Sequence, residues 1–307
     1  MPPIHLDDAA LAGLGLTTAE IVAAIEDTLR GVADGSLTAA PKSAAVAQDG
    51  RYMMATLAAS DAAGLIVVKS VMVNDRNKAR GLPGINGAIM LLDSETGELR
   101  GTLGANWITA VRTAGLSMVA AKRLAAPDSS SLGLIGAGVQ GESHLRALAD
   151  LFPLSHVLIH SRSQGGIDHL IKVARSLGLQ AKPATAQDTI SKADIVVSSV
   201  TLNYDTQPFL DARWMKPGAF AVITDLGLPW EPAGQAAFGR IYVDDIAQEK
   251  SMAKPMVAPK LVTGDLTGLI SDPKVAHDPE RSAAFIFRGI AAGDLAIAAL
   301  AYGRATA

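Results

Sequence analysis

Residues 131–146 read Ser131-Leu132-Gly133-Leu134-Ile135-Gly136-Ala137-Gly138-Val139-Gln140-Gly141-Glu142-Ser143-His144-Leu145-Arg146. The run 132–135 is short, apolar and suited to a buried strand, and residues 142–150 continue with helical periodicity. Between them Gly136, Gly138 and Gly141 give G-x-G-x-x-G, set between a strand and a helix as in dinucleotide-binding folds. Each glycine has a physical job. Gly136 permits the tight turn, Gly138 lets a pyrophosphate approach the backbone, and Gly141 allows close packing of helix on strand. Backbone N–H groups along Gly136–Gly141, those of Ala137, Val139 and Gln140 among them, are the expected phosphate donors.

Downstream, the end of the next strand distinguishes the two nicotinamide cofactors. About 20 residues beyond the fingerprint comes His160-Ser161-Arg162-Ser163, with no Asp or Glu to take a ribose 2′-hydroxyl. Ser161, Arg162 and Ser163 offer donors and a fixed positive charge, which suits a 2′-phosphate, so NADP(H) is favoured and NAD(H) is possible. Ser199, Val200 and Thr201 follow a strand at 195–199 and are expected near ribose and nicotinamide, because ligands collect at the carboxyl ends of wound-sheet strands. Strands predicted at 156–160, 180–183, 195–199, 220–224 and 240–243 alternate with helical segments, which points to a parallel sheet. Residues 283–303 read as one long, Ala-rich, buried helix interrupted by Arg288 and Asp294, which pair across a subunit contact, cap the substrate cleft or, on the favoured reading, form a packed structural pair.

Upstream, residues 17–33 carry the spacing of an amphipathic helix that Thr17 or Thr18 can cap. The period then changes, and strands are predicted at 43–46, 52–58, 64–73, 88–93 and 99–103, before a helix at 108–124. The polar stretch 125–131 marks the expected boundary. The fold class is therefore α/β: a Rossmann-like nucleotide-binding domain at 125–283, and an α+β substrate-binding and dimerisation domain from 1–124 and 284–307.

Composition excludes several classes. Of 307 residues 49% are hydrophobic and 19% charged, enough apolar material for a large core. A net charge of −3 with no basic stripe argues against nucleic acid. The absence of cysteine removes disulfides, thiolate zinc sites and a Cys nucleophile, and fits a cytoplasmic protein. No signal pattern or membrane-spanning run is read, so no membrane partner is expected. His156 and His160 lie on a strand, roughly 13 Å apart, too far for one metal. His144 reads as a helix-surface residue.

Two cations stand out in the first half. Lys69 sits inside an apolar strand, where a charge needs a partner or a water-filled cleft. Arg112 reads as opening a helix, with a guanidinium fork suited to a planar carboxylate. Val68-Lys69-Ser70-Val71, Ile89-Met90-Leu91-Leu92-Asp93 with Gly97 and Leu99, Ile108-Thr109-Ala110-Val111-Arg112-Thr113-Ala114 and the glycine turn together resemble the ornithine cyclodeaminase/mu-crystallin family, in order and spacing across nearly the whole chain.

The resemblance implies a homodimer with a Rossmann-like domain and a separate domain of strands that binds substrate. It implies that Lys69 and Arg112 hold the substrate α-carboxylate, and that Thr113 faces the cofactor phosphates or the substrate. Two departures stand against the family pattern. Lys42 follows Pro41 where the family usually has Arg, a point charge in place of a fork. Gly227 stands where cyclodeaminases carry a catalytic Asp, and Asp225 lies two residues early, placed to cap a strand end or bond a ribose. The expected function is an NAD(P)H-dependent reductase of a small α-imino acid, with Lys42, Lys69 and Arg112 binding substrate and Lys69 the candidate acid. A second carboxylate is also tolerated by the nearby cations Arg51, Arg76 and Lys78. The alternatives are an alanine-type amino-acid dehydrogenase, an ornithine cyclodeaminase (disfavoured by Gly227) and a non-enzymatic NADPH-binding, crystallin-like protein.

Overall fold

A change of sheet type divides the chain. The computed structural model describes residues 2–307, the side chains of Asp75 and Lys78 excepted, so Lys78 lies outside the described residues. Met1–Gly115 and Ile290–Ala307 form one unit and Leu116–Gly289 the other.

The first unit opens with β1 (Ile4–Leu6), α1 (Asp8–Ala12) and α2 (Thr18–Asp34). Strands follow: β2 (Leu37–Ala39), β3 (Ser43–Val46), β4 (Tyr52–Ser60), β5 (Leu65–Val73), β6 (Ile85–Asp93) and β7 (Leu99–Gly104). Thr17 starts α2 with a capping box that Glu20 completes, and Gly35 ends it in the left-handed conformation. Ile21, Val22, Ile25 and Leu29 are its buried face, as the spacing predicts. The strands order as β1-β7-β6-β5-β4-β2, with β3 also on β4. All pairs are antiparallel except β1 with β7. Period-two alternation in β5 buries Leu65, Val67, Lys69 and Val71 on one face.

Next, α3 (Ala105–Leu124) passes from the first unit to the second at Gly115–Leu116, inside a continuous helix and ahead of the polar stretch expected to mark the boundary. The second unit continues β8 (Ser131–Ile135), α4 (Val139–Leu151), β9 (His156–His160), α5 (Gln164–Ser176), β10 (Gln180–Pro183), α6 (Ala186–Ser191) and β11 (Ile195–Ser198). After these come β12 (Phe220–Ile223), β13 (Arg240–Val243), α7 (Ile246–Ser251), β14 (Val262–Asp265), α8 (Leu266–Ser271) and β15 (Ala283–Ile286). The sheet is parallel throughout, in the order β10-β9-β8-β11-β12-β15-β13-β14. Strand order reverses between β8 and β11, the switch point where Rossmann-type folds bind ligands. Every residue of β11, β12 and β15 is buried, which explains their unbroken apolar runs.

The last segment differs from the single helix predicted at 283–303. Ala283–Ile286 is β15, inserted between β12 and β13, and only α9 (Ala291–Thr306) is helical and belongs to the first unit. A short apolar run carries no period that separates a buried strand from a buried helix. Among the described residues no helix is long and apolar enough to cross a membrane.

Candidate functional site

In the first unit, strand register and one helix start assemble a buried charge cluster. Thr56 on β4 pairs directly with Lys69 on β5, so both side chains leave the same face of the sheet. Asp294 lies in the first turn of α9, where the helix dipole favours a negative charge. Lys69 Nζ donates to Asp294 Oδ1 over 2.7 Å, and Thr56 Oγ1 donates to Oδ2 over 2.9 Å. Arg112 Nε stands 3.1 Å from Oδ1, an ion pair without the alignment of a hydrogen bond. Lys69 and Asp294 are each only 1% exposed, and Arg112 5%.

The donors outnumber the acceptors. An ammonium carries three N–H groups and a guanidinium five. Among the described residues, Asp294 is the one hydrogen-bond partner of Lys69 and the one acidic partner of Arg112. Burial lowers the Lys69 ammonium from 10.5 to about 8, against the pull of Asp294; Arg112 and Lys42 push it further the same way. Burial works to raise the Asp294 carboxyl, but Lys69 and Arg112 outweigh it and hold the group below the usual carboxylate value. Lys42, half-buried between β2 and β3, is thus a third positive charge acting on Lys69. Two buried cations around one buried anion leave a site that favours an incoming carboxylate.

The predicted cations divide. Arg51 and Arg76 both pair with Asp49 and stay exposed, where solvent screens their charge. Arg112 does not open its helix: it is the eighth residue of α3, and its position rests on the pairing with Asp294 and not on a helix terminus. Thr113 beside it is buried.

In the second unit the glycine turn has the shape its spacing implies. Gly136 has φ +99°, and a Cβ there would lie 2.6 Å from the Ser199 carbonyl oxygen. A Cβ on Gly141 would lie 2.9 Å from the Gly136 carbonyl oxygen. Gly138 differs: it caps α4 with no side-chain hydrogen bond, and a Cβ there would meet nothing within 4 Å. Open space at an uncapped helix start, with Val139 exposed beside it, fits a phosphate group. Ala137 and Gln140 are half-buried in the same turn.

Beyond β9, the Ser163 hydroxyl caps α5 by accepting from Gly166 N, and the Ser161 hydroxyl accepts from Ser163 N. The two serines shape the turn and Arg162 projects into solvent. Beyond β11, Asp225 Oδ2 accepts from the Ser198 hydroxyl and from Val200 N, 3.0 Å away, tying the end of β12 to the turn that holds Ser199, Val200 and Thr201. Burial pushes the Asp225 carboxyl up to about 6. Leu226 at φ 61° and Gly227 at φ 71° follow it, two consecutive left-handed residues.

Three readings of single residues need correction. His144 is not on the helix surface: it is fully buried, its Nδ1 2.7 Å from the Gln140 carbonyl and its Nε2 2.8 Å from Ser117 Oγ. The carbonyl can only accept, so Nδ1 carries the proton, and burial lowers the imidazole to about 4. Arg288 and Asp294 do not pair with each other. Arg288 lies before α9 and pairs with Glu249, while Asp294 pairs with Lys69 and Arg112. Sequence reasoning misses Thr56 as a site residue and ranks a role for Asp294 at the substrate cleft behind the structural pair. Asp294 had one signal, a lone acid in a run of Ala, Leu and Ile; Thr56 had none.

Known proteins of named activity resemble this chain. The chain is 28% identical over 254 residues to the ketimine reductase mu-crystallin of Mus musculus, covering 81% of this chain and 78% of that protein. It is 30% identical over 232 residues to the iminosuccinate reductase of Paracoccus denitrificans, covering 72% and 71%. Its fold matches the Thermococcus litoralis Delta(1)-pyrroline-2-carboxylate reductase, solved in complex with NADH and L-proline, with a TM-score of 0.88 over 99% of this chain and 97% of that one, at 21% identity. Residues 9–227 match the model of one family, and the chain belongs to it: the ornithine cyclodeaminase/mu-crystallin family.

Proposed function

We propose that this protein is an NAD(P)H-dependent reductase of a small α-imino acid, of the ketimine, cyclic imine or iminosuccinate type, giving the amino acid. The observation that carries the reading is the surplus of buried positive charge at Lys69 and Arg112, with Asp294 as their shared counter-ion. The unused donors of Lys69 and Arg112 take the substrate carboxylate, and Lys42 adds a looser, unforked contact. A bound nicotinamide supplies the hydride that reduces the imine carbon. Lys69 gives the imine nitrogen its proton and passes from ammonium to amine, a change made easy near neutral pH by burial, which brings the group to about 8. Above that pH the neutral amine accepts a proton, so amino-acid oxidation by the same site is the second reading and belongs to alkaline solution. Gly227 offers no base for ornithine cyclisation.

On this reading the second unit holds the dinucleotide: Gly136–Gly141 on the pyrophosphate, Ser161, Arg162 and Ser163 on a 2′-phosphate, and Ser199–Thr201 toward the ribose and nicotinamide. Arg162, and the lack of a carboxylate beside it, favours NADPH over NADH. The face of the first sheet opposite Lys69 carries Met53, Leu57 and Met90, each about two-fifths exposed. That apolar surface supports a homodimer.

The test is a panel of Δ1-pyrroline-2-carboxylate, Δ1-piperideine-2-carboxylate, and pyruvate or oxaloacetate with ammonia or methylamine, each with NADPH and NADH. Loss of reduced-nicotinamide absorbance with at least one substrate is expected. No turnover on any of them overturns the function.

A further inference from the structure

We propose that Asp294 is the positioning residue of the substrate site, aiming Lys69 and Arg112 at one ligand carboxylate and keeping the ammonium charged. The proposal rests on the reading of that site as a carboxylate site. Its observation is the sharing of a single oxygen: Lys69 Nζ and Arg112 Nε both meet Oδ1, at 2.7 and 3.1 Å. The other oxygen is pinned by Thr56, so the carboxylate has little freedom to rotate.

Geometry separates this arrangement from a plain structural salt bridge. A bridge that serves only stability pairs charges one to one and satisfies their donors, since buried donors left over cost free energy. Here Asp294 meets the guanidinium at Nε, on its inner side, and leaves the outer pair of nitrogens without an acidic partner among the described residues. It occupies one of three ammonium hydrogens. The charges facing Lys69 come from three elements: Asp294 from α9, Arg112 from α3 and Lys42 from the loop after β2. Of these Asp294 alone is negative, so it alone opposes deprotonation of Lys69.

The test is binding of pyrrole-2-carboxylate, an inert planar probe, to the NADP+-loaded protein by calorimetry across pH 6–10. In the wild type, affinity is expected to fall as Lys69 loses its proton. Asp294→Asn keeps the volume and removes the charge; its midpoint is expected to move down by about one pH unit, which costs about twofold in binding at pH 7, and the misaimed donors bring the expected loss there to about tenfold. Thr56→Val keeps both ion pairs and frees Oδ2; a shift in the same direction, about threefold in affinity, is expected even where Asp294→Asn fails to fold. A folded Asp294→Asn protein with the wild-type midpoint overturns the proposal, as does Thr56→Val with wild-type affinity and midpoint if Asp294→Asn does not fold. A wild type that does not bind the probe overturns it too. A wild type that binds the probe with the expected midpoint but reduces no imine supports the positioning role and removes only the reductase function.

Discussion

Asp294 and Asp225 are two buried aspartates at 1% and 2% exposure, and they carry opposite charge preferences. Asp294 in the first unit has two cations within 3.1 Å and is held below its ordinary value. Asp225 in the second has only neutral donors, the Ser198 hydroxyl and Val200 N–H, and burial pushes it up to about 6. Equal burial thus gives one carboxyl held below its ordinary value and one pushed up to about 6. The partner decides the charge, not the depth. The first unit is built to gather side-chain charge, and the second leaves backbone donors and empty space, as at Gly138.

The comparison breaks most severely at Lys69. Lys69→Met leaves Asp294 with Arg112 alone; kcat/KM for imine reduction is expected to fall by about 10²–10⁴. Stability is expected to change by less than about 1 kcal/mol in denaturant melts, because Arg112 remains as the counter-ion of Asp294 and no buried charge is left uncompensated. A variant with wild-type kcat/KM removes Lys69 from the mechanism.

The two aspartates also make opposite contributions to stability against pH. Asp294 has a lowered folded value, so its contribution is present at neutral pH and is lost as pH falls through that value. Asp225 is raised from 3.8 to about 6, so the folded state holds an extra proton between those pH values. Its contribution is present at low pH and is lost as pH rises through about 6. Asp225→Asn is permanently neutral, and its stability relative to wild type is expected to improve between pH 4 and pH 7 by on the order of 2 kcal/mol. Parallel stability curves across that range show that Asp225 does not titrate there.

Smaller effects belong to the glycine turn and its neighbour. Gly138→Ala is expected to lose less than about 1 kcal/mol of stability, because its Cβ meets nothing, yet to weaken NADPH binding about tenfold in fluorescence titrations. Gly136→Ala, facing the Ser199 carbonyl at φ +99°, is expected to damage the fold first. Equal NADPH affinity in Gly138→Ala and wild type places the pyrophosphate elsewhere. Arg162→Ala gives the smallest effect, a several-fold loss of NADPH affinity with NADH unchanged; an equal loss for both cofactors removes Arg162 from 2′-phosphate recognition.

Much of this protein was legible before its fold. The glycine spacing, the strand before it and the helix after it are local features, and φ at Gly136 and the crowding at Gly141 follow from that spacing. Arg112 stood out because a guanidinium fork suits a planar carboxylate, and Lys69 because a charge in an apolar run is costly unless something answers it.

What answered it lay beyond sequence reasoning. Asp294 is 225 residues from Lys69, and only the return of α9 to the first unit brings the two together. Local propensity likewise could not separate β15 from α9 or bury His144, since both outcomes depend on which surfaces pack against them. The residue types therefore set which chemistry was available, through glycine geometry and the cost of a lone cation. The tertiary structure decided which charges were paired and which donors kept no acidic partner, because pairing at about 3 Å is a property of space and not of order along the chain.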